Sequence, residues 1–111
     1  MNIQHQELKA GRWDQLTLIE QMANIGSEVE RALQWKEKNN PSRSEKAFDR
    51  ALELLDLSLD APKNKRGLKE IARTREIVVD HFIGGNQFNS SAAHLRKYFL
   101  QFAFAARKHV H

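Results

Sequence analysis

Residues 17–59 read TLIEQMANIGSEVERALQWKEKNNPSRSEKAFDRALELLDLSL, and their spacing decides the fold class. Leu18, Met22, Ile25, Val29 and Ala32 step by four and three, so they fall on one side of a helix and form a single apolar stripe. Thr17 with Glu20 matches a capping box, in which a hydroxyl and a carboxylate satisfy the free N–H groups of the first turn. Ala23, Gly26 and Ser27 lie beside the stripe and would let a second backbone come close. Asn39-Asn40-Pro41 ends this helix, because proline disfavours helical geometry in the residue before it. A second helix is predicted from Ser42 to Leu59. It has Ser42 and Glu45 as its capping box, Phe48, Leu52, Leu55 and Leu59 as its stripe, and Pro62 beyond its end.

The pattern repeats downstream. Leu68, Ile71, Arg75, Val78 and Phe82 give a third helix over about 65–83, stopped by Gly84-Gly85-Asn86, where glycine takes a left-handed cap cheaply. Ala92, Leu95, Phe99, Phe102 and Ala106 give a fourth that begins near Ser90 or Ser91. From Tyr98 to Ala106 only Gln101 is polar, which predicts a helix central to the core or covered by another subunit. Residues 1–16 are weakly patterned and read as an N-terminal arm with Trp13 and Leu16 able to pack. The expected fold is all-α, an antiparallel four-helix bundle over residues 17–111 with that short arm. Five glycines and two prolines in 111 residues are too few for a turn-rich β fold. The absence of cysteine excludes disulfides and thiolate metal sites and fits a cytoplasmic location. No apolar run is long enough to span a membrane, and the first residues lack the apolar core of a secretory signal.

Charge is distributed unevenly. Asp80 is the last carboxylate, and residues 1–80 hold 14 Lys and Arg against 14 Asp and Glu. The net charge of +4 therefore sits in the last 31 residues, with Arg96, Lys97, Arg107 and Lys108, four of the five histidines and six of the nine aromatics. Arg96 and Arg107 are 11 residues apart, as are Lys97 and Lys108. Eleven residues is close to three helical turns, so all four cations share one side, opposite the Phe99 stripe. That side is either the solvated face of an amphipathic helix or a phosphate-contacting face, which makes these four residues the candidate nucleic-acid-binding set.

Arg75 stands where the third stripe calls for an apolar residue, and Glu76 does the same on the adjacent line. A guanidinium in a core needs a partner, so Arg75 either pairs with Glu28, Glu53 or Asp56 on a facing helix or holds an anion in a pocket. Glu76 and Asp80, interleaved with Arg73, read as an ion-pair ladder more than as an acid–base pair. The segment Arg75-Glu-Ile-Val-Val-Asp-His81 resembles the signature of the HEPN superfamily, small all-α domains of which many are dimeric, metal-independent ribonucleases. That resemblance implies Arg75 on the scissile phosphate, Glu76 as the polar residue after it, and His81 as general base toward the 2′-hydroxyl. Residues 42–64 resemble the second half of a tetratricopeptide repeat, but a solenoid requires several stacked copies and one is present. Over its whole length the chain, through EQMANIGSEVERALQW, KAFDRALELLDLSLD, RGLKEIARTREIVVDHFIGGN and KYFLQFAFAARK, resembles a group of short uncharacterised microbial all-helical proteins, which implies one compact helical unit and no mechanism.

No histidine pair has the i, i+4 spacing of a helical zinc site, no glycine loop precedes a helix as a phosphate cradle, and no metal or cofactor is expected. The leading expectation is a non-enzymatic interaction or assembly module that binds a protein or an anionic, nucleic-acid partner. It is expected to homodimerise through the apolar fourth helix, with Trp13 and Trp35 flanking the bundle. The alternative is a HEPN-like ribonuclease or toxin-system component using Arg75 and His81.

Overall fold

The computed structural model describes residues 11–108, and all of their regular structure is helical. There are five α-helices: α1 (Trp13–Gln15), α2 (Leu18–Glu37), α3 (Pro41–Asp60), α4 (Leu68–Phe82) and α5 (Ala92–Lys108). A 3₁₀ segment, Pro62–Gly67, leads into α4. The four long helices stand where the stripes predict them. The single turn of α1 and the 3₁₀ entry to α4, predicted as part of the third helix, are additions.

The helix ends show which local signals prevail. The predicted capping box of α2 is present: Glu20 N donates to Thr17 Oγ1 at 3.1 Å and Thr17 N to Glu20 Oε1 at 2.8 Å. That of α3 is not. Asn40 caps this helix instead, its Oδ1 accepting from Arg43 N at 3.1 Å, and Pro41 occupies the first turn, where a missing N–H costs nothing. Ser91 caps α5 by accepting from His94 N at 3.0 Å. The stop after α4 also differs in kind from the prediction. No described glycine has a positive φ, and the left-handed residues are Asn39, Asn86 and Asn89. Gly84 is required for space, since a Cβ there would lie 2.9 Å from Asp80 Cα. Asp80 does not extend an ion-pair ladder. Its carboxylate accepts from Gln87 N and Phe88 N at 2.8 and 3.0 Å and so ties down the loop after α4.

α2 is the central element: α3 packs along one side of it and α5 along another, while α4 packs on α3. Met22, Ile25, Val29 and Leu33 of α2 meet Phe48, Leu54 and Leu55 of α3 in the core. Ile71 and Val78 join from α4, and Leu95 and Phe99 from α5. Only those two residues of α5 are buried, so the nearly all-apolar helix lies at the edge of the core and not at its centre. Gly26 permits the approach of α5, because a Cβ there would meet Phe99 Cβ at 2.8 Å.

Trp13 and Trp35 do not flank the structure as a pair. Trp13 is buried, and its Nε1 donates to Ser58 Oγ at 3.1 Å. Trp35 is half-buried under Arg43 and Lys38, whose charged groups lie 4.7 and 5.2 Å from its ring. Around Trp13 a buried polar network joins α1, α2, α3 and the 3₁₀ segment. Gln21 Nε2 donates to Trp13 O at 2.9 Å, and Asn64 Nδ2 donates to both Gln21 Oε1 and Ser58 O, at 2.7 and 2.9 Å. Of the expected arm, residues 11–16 dock on the core through Trp13 and Leu16, and residues 1–10 lie outside the described residues.

Candidate functional site

Arg75 lies on α4 and reaches α3, where its Nε donates to Asp56 Oδ1 at 2.9 Å. The side chains are 39% and 55% exposed, so this is a surface ion pair and not a buried guanidinium. The buried carboxylate among the described residues is Glu28, which accepts from Arg31 at 3.1 Å and from Arg50 at 3.3 Å. His81 turns to the loop before α5: its Nδ1 lies 3.0 Å from Ser90 O and so carries the proton it donates there. Its ring also meets Phe82 edge-on at 5.2 Å. Glu76 is exposed. Arg75 and His81 are thus engaged by different elements, as expected of side chains six positions apart on one helix.

The four C-terminal cations separate into two groups. Arg96 faces α2, giving two parallel bonds to Glu37 at 2.9 and 3.0 Å and a third from Nε to Glu30 Oε1 at 2.8 Å. This fork, first through Glu37 and then Glu30, holds the guanidinium protonated well beyond its ordinary range. In return Arg96 draws the Glu37 carboxyl below the usual value. Lys97, Arg107 and Lys108 are exposed and have no carboxylate partner among the described residues. Two apolar side chains share their face, Leu100 at 48% and Phe104 at 54% exposed, with the Arg107 guanidinium 5.5 Å from the Phe104 ring. Sequence periodicity located the cations, but it did not place Leu100 and Phe104 among them.

A second feature had no signal in the sequence. α4 and α5 do not pack closely along their lengths. Between them is an open cleft of about 450 Å³, with Ile77, Val78, Leu95 and Phe99 as apolar walls. A short chain of hydroxyls crosses it. Tyr98 OH donates to Glu70 Oε2 at 2.9 Å and, having one proton, accepts from Thr74 Oγ1 at 2.8 Å. Burial pushes the Tyr98 hydroxyl up to about 12; the Thr74 bond opposes the shift and Glu70 adds to it.

Among the described residues no group of three His, Cys, Asp or Glu could hold a metal ion, and no helix is long and apolar enough to cross a membrane. No family model, curated protein or solved structure matches the chain.

Proposed function

We propose that this protein is a cytoplasmic, non-enzymatic interaction module whose α5 outer face binds an anionic partner, with nucleic acid as the partner that fits best. The observation that carries the reading is the grouping of Lys97, Arg107 and Lys108, free of carboxylates, around the half-exposed Phe104. Cations supply sequence-independent attraction to phosphates, and an exposed ring offers a base a surface to stack on.

The scaffold in this reading is an antiparallel four-helix bundle over residues 17–111 with an arm at residues 1–16. Contacts that support it fall in opposite senses along neighbouring helices. Ser44 Oγ bonds Ala32 O and Arg50 bonds Glu28, while Asp56 meets Arg75 and Phe48 meets Phe82. Homodimerisation is part of the same proposal, with Leu100 and Phe104 at the seam when no polyanion is bound, so that the two partners compete for one face.

The test is fluorescence anisotropy of a labelled single-stranded RNA across a salt series. Affinity is expected to fall as salt rises, by about 0.7 logarithmic units per phosphate contact for each decade of salt. Lys97→Ala with Lys108→Ala should lessen that slope by about 1.4. Absence of binding at the lowest salt, or the same slope in the double variant, would reject the proposal. Incubating the same RNA without divalent metal covers the ribonuclease alternative: cleavage by the wild type that is lost in both Arg75→Ala and His81→Ala would replace the binding reading with it.

A further inference from the structure

We infer that the cleft between α4 and α5 is a binding site for a small organic acid, a compact aromatic or aliphatic body carrying one carboxylate. The site is separate from the outer face of α5 and stands on different residues.

The volume, about 450 Å³, is within the range of small-molecule pockets and too small for a folded partner. Val78, Leu95 and Phe99 are otherwise buried residues whose edges form its walls, so an apolar body entering the cleft finishes the packing that α4 and α5 leave incomplete. The polar side chains across the cleft are already satisfied: Tyr98 binds Glu70 and Thr74. A ligand rich in hydroxyls or amides would have to break that chain, whereas an apolar body would not.

The charge at the mouth selects the head group. Lys69 and Arg73 line the cleft one turn apart on α4, and His94 lines it from α5. Neither Lys69 nor Arg73 has a carboxylate within ion-pair distance among the described residues, and the Arg73 guanidinium rests 5.9 Å from the Phe88 ring. Like charges four residues apart repel, and an anion between them relieves that repulsion. Glu70 is the only carboxylate among the lining residues, and Tyr98 engages it. The cleft therefore offers apolar walls and a rim on which two cations stand against one carboxylate that Tyr98 already holds, which is the complement of an amphipathic acid.

The experiment titrates the full chain with 3-phenylpropionate and, separately, with the neutral 3-phenylpropanol, following methyl resonances by NMR. The acid is expected to shift the methyls of Ile77, Val78 and Leu95 while leaving those of Leu52 and Leu57 in place. It should bind up to about fivefold more tightly than the alcohol, the contribution of one partly exposed ion pair. Lys69→Gln with Arg73→Gln should remove that preference and leave alcohol binding and the melting temperature unchanged, because both residues are exposed. Ile77→Trp, which fills the cleft from a half-buried position, should abolish binding of both probes. Equal affinity for acid and alcohol, shifts confined to Leu100, or no shift at any concentration would overturn the assignment.

Discussion

Gln21 ties α1, α2 and the 3₁₀ segment together from the interior. It is fully buried, and both ends of its amide are used: the nitrogen holds Trp13 O and the oxygen receives Asn64 Nδ2. Substituting leucine would keep the volume but leave one Asn64 proton without a partner in a dry interior and reduce the Trp13 carbonyl to its single bond from Leu16 N. Gln21→Leu is expected to cost about 2 kcal/mol in urea unfolding, the desolvation of groups left unsatisfied. Arg75 presents the opposite case. As a core residue its removal would be severe, but its pair with Asp56 is solvated, so Arg75→Ala should change stability by less than about 1 kcal/mol in the same measurement. Tyr98 makes a pH-dependent contribution. Its folded hydroxyl titrates near 12, above the ordinary value of 10, so the unfolded chain loses its proton first. Stability from this group is therefore complete below pH 10 and falls as pH rises toward 12. Tyr98→Phe should lessen the fall of the melting temperature over that window, and the fall that remains in the variant belongs to other groups.

At the scale of the helix, α2 and α3 show what periodicity conveys and what it leaves out. The 4, 3, 4, 3 stripe of α2 identified Leu18, Met22, Ile25, Val29 and Ala32; the last four are buried, and Leu18 packs half-buried at the edge of the core. The start of α3 differs from the predicted one: Ser42 is expected as its cap, but Asn40 holds that place, because Pro41, with its fixed φ and no N–H, suits the first turn. Asn40→Ala should cost about 1 kcal/mol, and Ser42→Ala much less. Of the two readings of α5, the one that puts it at the centre of the core fails, because composition counts apolar residues without counting neighbours. A helix that packs mainly on α2 buries one stripe and exposes Leu100 and Phe104 however apolar the rest is. Gly26 controls that packing. Replacing a helical glycine with alanine normally gains about 1 kcal/mol, but the new Cβ would meet Phe99 Cβ, which is anchored to the α5 backbone and has no rotamer to escape into. Gly26→Ala is expected to lower stability by up to about 2 kcal/mol net, an overpacking cost of about 1–3 kcal/mol less the helix-propensity gain of about 1 kcal/mol, with α5 displaced from α2. Stabilisation in a melting experiment would show that α5 is held more loosely than this contact indicates.

At the scale of the whole molecule, charge and apolar surface act in opposite directions, and salt separates them. The last 31 residues carry the net charge of +4, and the ion pairs of Arg96 to Glu30 and Glu37 bridge 66 and 59 residues of chain. Such long-range pairing is invisible in a linear reading, which is why Arg96 resembled its neighbours Lys97 and Lys108 until α2 and α5 were brought together. Two copies joined through Leu100 and Phe104 would bury half-exposed apolar area but would also bring two sets of Lys97, Arg107 and Lys108 close to each other. Screening weakens that repulsion, since the Debye length falls from about 10 Å at 0.1 M salt to about 3 Å at 1 M, while apolar burial is not weakened. Self-association measured by sedimentation equilibrium is therefore expected to strengthen as salt rises, and Phe104→Ala should eliminate it. Binding of a polyanion to the same face must do the reverse, weakening with every added increment of salt. A molecule whose dimerisation and RNA binding both declined with salt would be joined by ion pairs elsewhere, and the seam at Leu100 and Phe104 would be wrong.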